Sequence, residues 1–144
     1  MTWFPDLSQY TYMQDSYLRE LTPEGQDTQV KLNVGWLDSG HDFPVGEPPA
    51  GFLDDLAQLC ATNAHARTRG WHRCNLPHEQ QLEYPFTIKV DGNQIPLGSA
   101  EIRVSSADGT MLTAPNLVWH YVDYHRYLPP PEFVEAVLAR REVK

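Results

Sequence analysis

Gln29-Val30-Lys31-Leu32-Asn33-Val34-Gly35-Trp36 is the stretch that decides the fold. Its apolar residues occupy every second position, and this alternation is typical of a β-strand with one face buried. The turn-forming sequence Asp38-Ser39-Gly40 follows it and ends the strand. The stretch therefore predicts a strand over residues 29–36 that belongs to a half-buried sheet.

Two more segments of the same character lie later in the chain. Residues 85–90 and 100–105 are rich in β-branched or alternating apolar residues, so both are predicted to be strands. Asp108-Gly109 is a turn sequence, and it predicts a hairpin between residues 100–105 and 110–113. The strands that this pattern indicates form a small, mostly antiparallel sheet.

Apolar residues at helical spacing predict three helices, near residues 50–62, 116–127 and 131–140. Residues 1–27 show neither periodicity, and we expect them to be largely irregular and packed on the core. A chain of 144 residues has the size of one ordinary domain. The predicted fold class is therefore α+β, a single domain over 1–144 with about three helices packed on the sheet.

Composition limits the class of protein. Hydrophobic residues make up 41% of the chain, enough for a packed core. The sequence contains no apolar run of the ~20 residues that a membrane-spanning helix needs, and its start does not resemble a signal peptide. Two cysteines, Cys60 and Cys74, fit a reducing compartment as free thiols. We expect a cytoplasmic protein with no membrane partner.

The net charge of −8 lies entirely in one part of the chain. Residues 1–60 carry ten acidic residues against Arg19 and Lys31, whereas residues 61–144 carry nine acids and nine bases. A negative field repels phosphate, so nucleic acid is disfavoured as a ligand and a basic partner protein is favoured. Acidity that serves solubility alone is the alternative. The acids expected to contact such a partner are Asp38, Asp42, Glu47, Asp54 and Asp55.

One histidine–cysteine cluster, His72, Cys74 and His78, could carry chemistry. His72 and Cys74 would point to the same face of a strand and could share a metal ion. A closed zinc site needs four ligands, and the position three residues after Cys74 holds Pro77 rather than a second cysteine. Local spacing therefore favours structural or surface roles and no stoichiometric zinc, with zinc as the alternative cofactor.

Two other chemical hypotheses follow from the residues. Cys74 could act as a nucleophile, since Arg69, Arg73 and His72 nearby would lower its pKa, although no acyl-transfer motif accompanies it. His120 and His125 lie on a predicted helix but about 140° apart around its axis. They are therefore not expected to form an i,i+4 zinc pair, and structural roles are favoured for both.

Several motifs, taken together, resemble one family. They are Trp3-Phe4-Pro5-Asp6-Leu7-Ser8, Asn33-Val34-Gly35-Trp36-Leu37, Arg69-Gly70-x-His72-x-Cys74, Gly98-x-Ala100-Glu101-Ile102-Arg103-Val104 and His120-Tyr121-Val122-x-x-His125-x-Tyr127-x-Pro129-Pro130. In this order they resemble the DUF7919-type family of bacterial domains of unknown function. The resemblance implies a free-standing bacterial domain and no known activity.

The sequence favours a non-catalytic bacterial protein-binding domain, of the immunity or antitoxin-like kind, that inhibits a basic partner protein. Small size, a segregated acidic half and the absence of phosphate-loop, GxSxG and HExxH motifs support this function. The alternative is a metal- or thiol-dependent enzyme or sensor that uses the His72/Cys74 cluster.

Overall fold

The structure, a computed structural model, describes residues 3–10, 30–65, 73–79 and 86–143. Five strands lie within these ranges: β1 (Lys31–Asn33), β2 (Phe86–Val90), β3 (Asn93–Leu97), β4 (Glu101–Ser105) and β5 (Met111–Pro115). The helices of the same ranges are α1 (Phe52–Thr62), α2 (Val118–His125) and α3 (Pro131–Leu138). The α+β class is confirmed.

The central strand of the larger sheet is β5. It pairs in parallel with β1 and antiparallel with β4, giving the order β1-β5-β4. All five residues of β5 are buried, as expected for a strand covered on both faces. The predicted hairpin between residues 100–105 and 110–113 is confirmed by the pairing of β4 with β5.

The prediction that residues 85–90 share this sheet is wrong. Strand β2 pairs with β3 in a separate two-stranded hairpin, in which Ile88 faces Ile95. The hairpin packs on α1, which contacts both of its strands. The smaller sheet therefore covers one side of the helical layer instead of extending the larger sheet.

Both edges of the larger sheet are protected by chain termini. Residues 8–10 run along β1, with the Asn33 amide donating to the Ser8 carbonyl and the Tyr10 amide donating to the Lys31 carbonyl. Residues 141–143 run along β4, where the Val143 amide donates to the Arg103 carbonyl. Covering an edge in this way leaves no free ladder for another chain to pair with.

Gly35 explains why β1 is shorter than the predicted 29–36. Gly35 has a φ of +76°, which ends the extended conformation after Asn33. A Cβ at this position would lie 2.7 Å from Val118 Cγ2. The close approach lets the chain after β1 pack directly on the first turn of α2. Gln29 lies outside the described residues.

Helix α1 holds the helical layer together. It contacts α2, α3 and both strands of the small sheet. The buried face of α1 comprises Phe52, Leu56, Leu59 and Cys60, the stripe that its sequence spacing predicts. Phe52 meets Phe133 of α3 edge to face, with ring centroids 6.3 Å apart. The described part of the chain contains no helix long and apolar enough to cross a bilayer.

We predict that Gly35→Ala lowers the free energy of unfolding by about 3 kcal/mol. The left-handed conformation costs a residue with a Cβ about 1–2 kcal/mol, and the contact with Val118 adds an overpacking cost of similar size. Gly109 also has a positive φ, +91°, but nothing lies within 4 Å of its would-be Cβ. Gly109→Ala should therefore cost only about 1–2 kcal/mol. Urea denaturation of both variants measures the difference, and equal losses would contradict the close approach at Gly35.

Candidate metal centre

Two distant parts of the chain bring four metal-ligating side chains together. The segment 73–79 contributes Cys74 and His78, and α2 contributes His120 and His125. The four ligand atoms all lie within 4.8 Å of one another. Cys74 and His120 are buried, and the other two are half-buried. These four residues are called the Cys-His cluster below.

The distances within the Cys-His cluster are short. His78 Nε2 lies 3.0 Å from His120 Nε2 and 3.1 Å from His125 Nε2. Cys74 Sγ lies 3.3 Å from His125 Nε2. A neutral imidazole nitrogen either donates or accepts a hydrogen bond, so three Nε2 atoms that face one another cannot all be well paired by protons alone. A cation at their centre would accept one lone pair from each of these nitrogens and from the sulfur.

The segment 73–79 is held in place by contacts on both sides of its ligands. Leu76 is buried in the core between Cys74 and His78. Asn75 Oδ1 accepts a hydrogen bond from the Ser39 amide at 3.1 Å. The Glu79 amide donates to Tyr124 Oη at 3.0 Å, which ties the end of the segment to α2. The backbone of Leu76 also donates to the Cys74 sulfur.

Helix α2 is positioned by the strand before it. Between β5 and α2, Asn116 accepts a hydrogen bond from the Gly98 amide at 2.7 Å, and its own amide donates to the Ala100 carbonyl. His120 lies in the first turn of α2 and is only 1% exposed. The position of His120 is therefore fixed by the central strand of the sheet through Asn116.

His125 reaches the same point from the other end of α2. It is the last residue of the helix, and Arg126 after it adopts a left-handed conformation with a φ of 59°. The rings of His120 and His125 lie 5.1 Å apart, edge to face. The expectation that the helix keeps these two histidines apart is therefore wrong, since both belong to the Cys-His cluster. An angle around an ideal helix axis does not account for the reach of two imidazoles at opposite ends of a short helix.

The surroundings favour the neutral form of His120 and His125. Burial lowers the pKa of His120 to about 4, and repulsion from the neighbouring His125 and His78 acts in the same direction. Burial also lowers the pKa of His125 to about 4, with a contribution from His78. The ring of Phe86 lies 4.7 Å from that of His120 and adds apolar cover. Neutral imidazoles present free lone pairs, which is the form that binds metal ions.

The cluster fits the dimensions of a tetrahedral zinc site. Zn–N bonds of about 2.0–2.1 Å and a Zn–S bond of about 2.3 Å place neighbouring ligand atoms about 3.3–3.6 Å apart. Three of the six separations, 3.0, 3.1 and 3.3 Å, are slightly smaller, and all six lie within 4.8 Å. Accommodating the ion would therefore require small side-chain movements that widen the short separations and narrow any long ones.

The structure places some of the metal-ligand candidates predicted from sequence in the cluster and others outside it. Cys74 and His78 belong to the cluster, whereas His72 lies outside the described residues. His120 and His125 complete the set, although sequence spacing does not indicate them as ligands. Cys60 is a buried free thiol elsewhere, where its Sγ lies 3.6 Å from the Asn116 carbonyl oxygen.

The five acids expected to contact a partner do not behave alike. Asp42 and Asp54 are exposed, and the Glu47 side chain is 86% exposed beside Arg126. Asp55 is engaged by Arg140 at 2.8 Å. Asp38 accepts a hydrogen bond from the Gly40 amide within its own turn. Asp42, Glu47 and Asp54 are therefore exposed to a partner, although Glu47 also pairs with Arg126, whereas Asp38 and Asp55 have internal contacts.

The fold and the site together define a small α+β domain with a Cys-His cluster suited to a metal ion. A family model described as a domain of unknown function, DUF7919, matches residues 2–138. The chain belongs to this family. Comparison with curated proteins and with solved structures finds no match.

We predict that Cys74 is a poor nucleophile when no metal is bound. Burial raises the pKa of its thiol to about 11, and only the thiolate reacts. In a Cys60→Ala variant treated with a chelator, alkylation of Cys74 by iodoacetamide at pH 7 should be at least tenfold slower than that of an exposed peptide thiol. A rate equal to or above that of the peptide would instead support the hypothesis of a catalytic cysteine.

Proposed function

We propose that this chain is a zinc-binding domain in which the ion is structural. The single observation that carries the proposal is the convergence of Cys74 Sγ with the Nε2 atoms of His78, His120 and His125 within 4.8 Å. The expectation of no stoichiometric zinc rested on ligands that are near one another in sequence. The Cys-His cluster instead joins the segment 73–79 to α2, with contacts between residues 42 to 51 positions apart.

The ligand set favours zinc over other common ions. One thiolate and three imidazoles form a borderline-soft set without carboxylates, which suits Zn²⁺ better than Mg²⁺ or Ca²⁺. Four ligands of this kind could complete a tetrahedral zinc shell, whereas a blue-copper site would use two histidines and one cysteine with a weak axial ligand. Zinc also needs no redox partner, and its structural sites use Cys and His together.

A closed site supports a structural role rather than catalysis. Four protein ligands fill the tetrahedral shell, so no position remains for a bound water or substrate. The ion would join the segment 73–79 to α2, which is where the hydrogen bond from the Glu79 amide to Tyr124 already ties them. Because the ligands are brought together only in the folded chain, the free energy of metal binding contributes directly to folding stability.

The expected result for the purified protein is about one zinc per chain by elemental analysis. Substitution with Co²⁺ should give the visible absorption of a tetrahedral site together with a thiolate-to-metal charge-transfer band. Cys74→Ser should remove the charge-transfer band, and His120→Ala should lower zinc affinity at least tenfold because it removes a buried ligand. His41→Ala, which replaces an exposed histidine outside the cluster, should change neither.

A wild-type protein that holds no zinc, and that titrates with Co²⁺ without a tetrahedral spectrum, would contradict the proposal. This measurement uses the unaltered chain, so it remains decisive even if the Cys74 or His120 variant fails to fold.

A second candidate function is binding of a basic partner protein, as an immunity or antitoxin-like inhibitor in the bacterial cytoplasm. The exposed carboxylates of Asp42, Glu47 and Asp54 favour it, because residues 38–55 contain five acids and no Lys or Arg. Cys60 and Cys74 are both in the reduced state, which supports the cytoplasmic location. A structural zinc and a protein-binding surface are compatible in one domain.

Neutralising two of these acids should slow association with such a partner. Asp42→Asn together with Glu47→Gln should reduce the association rate several-fold at low salt and leave the fold intact, since opposite charges at an interface mainly raise that rate. Asp91→Asn with Glu142→Gln removes the same charge elsewhere and serves as the control. Stopped-flow kinetics with a co-purified basic protein measures the effect. An association rate insensitive to both salt and the first pair would exclude this role for the acidic segment.

A further inference from the structure

An apolar groove runs along α3. It has a volume of about 600 Å³ and opens to solvent along one side. One wall comes from α3, and the other comes from Pro49, which precedes α1, and from the chain after α2. Its apolar lining includes Pro49, Leu128, Pro131, Val134, Leu138 and Ala139.

The lining of the groove resembles a protein-docking surface more than a small-molecule site. Glu135 is the one charged residue among those that line it. Pockets for small molecules combine apolar walls with several polar groups that fix orientation, and they enclose most of the ligand. An open apolar channel beside a helix instead suits the apolar face of an amphipathic segment. Val45, which is 62% exposed, extends the apolar surface near Leu128.

The charge around the groove is negative. Residues 38–55, which include Pro49 of the lining, carry five acids and no Lys or Arg, whereas residues 126–142 carry three arginines and three glutamates. Of these, the five acids nearest the groove outnumber the three arginines and give a net charge of −2; they are Glu47, Asp54, Asp55, Glu132 and Glu135 against Arg126, Arg140 and Arg141. A field of this sign favours an occupant with positive side chains.

Internal ion pairs account for the arginines on this face. Arg126 lies 3.6 Å from Glu47, Arg140 lies 2.8 Å from Asp55, and Arg141 contacts Glu135. Of the nearby acids, Asp54 and Glu132 are exposed and form no ion pair within the described part of the chain. They stand in the first turns of α1 and α3. Positive side chains of an occupant would find these two carboxylates unengaged.

We propose that this groove binds an amphipathic, basic segment of another protein, with aliphatic side chains seated between Leu128 and Leu138 and with Lys or Arg facing the acidic rim. The proposal rests on the second candidate function above and deepens it, because it names the surface that the basic partner would contact. Apolar contact would supply affinity here, and the carboxylates would supply rate and specificity.

The test uses a defined probe, a fluorescein-labelled amphipathic helical peptide of leucine and lysine, and measures binding by anisotropy. Ala139→Arg places a bulky positive side chain in the groove at an exposed position. It should weaken binding of the peptide at least tenfold. Ala107→Arg adds the same side chain at an exposed position in the β4–β5 turn and should change binding less than twofold.

Two peptide controls separate the sources of affinity. Replacing every lysine of the probe with glutamate should abolish binding, and replacing every leucine with serine should abolish it as well. Equal binding to the wild type and to Ala139→Arg would overturn the groove as the site. In that outcome, the association rate of the Asp42→Asn, Glu47→Gln variant still shows whether a basic partner binds elsewhere on the domain.

Self-association is the competing occupant of the groove. Sedimentation of the wild type at increasing concentration should show a monomer throughout. A dimer that forms in the wild type and is lost in Ala139→Arg is the opposite outcome. Such a dimer would assign the groove to a second copy of the chain and would overturn the proposal of a basic partner segment.

Discussion

The buried unit formed by β5 and α2 is the constraint on which the rest of the structure depends. Strand β5 pairs with both other strands of its sheet, and after Asn116 the chain enters the helix that carries His120 and His125. Gly35 allows the chain after β1 to touch Val118 in the first turn of that helix. The sheet, the helix and the two histidines on it are thus fixed relative to one another by backbone packing. The other two members of the Cys-His cluster come from the separate segment 73–79.

Much of the fold could be predicted from the chain, because its elements bury one face and so show a period. The alternation of residues 29–36 and 100–105 and the helical stripe of α1 all correspond to observed elements. Strand β3 could not be predicted in this way, because Asn93 and Gln94 are exposed polar residues and Pro96 cannot donate to a ladder. It is an edge strand that pairs with β2, and such a strand can form without alternating apolar residues of its own. The division into two sheets is likewise a tertiary property that local periodicity does not encode.

The candidate site could be predicted only in part, for a related reason. Cys74 and His78 stand four positions apart and can be considered together from spacing alone. Their partners on α2 are more than forty positions away, and an estimate of angles around an ideal helix separates His120 from His125. The helix ends at His125, and the left-handed Arg126 turns the chain away, so the last side chain is free to point back toward the ligands. Motif spacing therefore cannot identify a ligand set that combines a loop with the end of a helix, even when every member is a residue type that binds metal ions.

The Cys-His cluster and the groove are joined by a short stretch of chain but are anchored separately. His125 belongs to the cluster, and three residues later Leu128 lines the groove. Between them Tyr127 is fully buried, and its hydroxyl donates to Asp6 at 2.7 Å. The Leu128 amide donates to the Pro44 carbonyl at 2.9 Å, and the Gly46 amide donates to the Arg126 carbonyl at 3.0 Å. These contacts hold the groove wall to the core and to the loop before α1 without any help from the ligands. The wall at Leu128 would therefore keep this support if an ion bound by the cluster were removed.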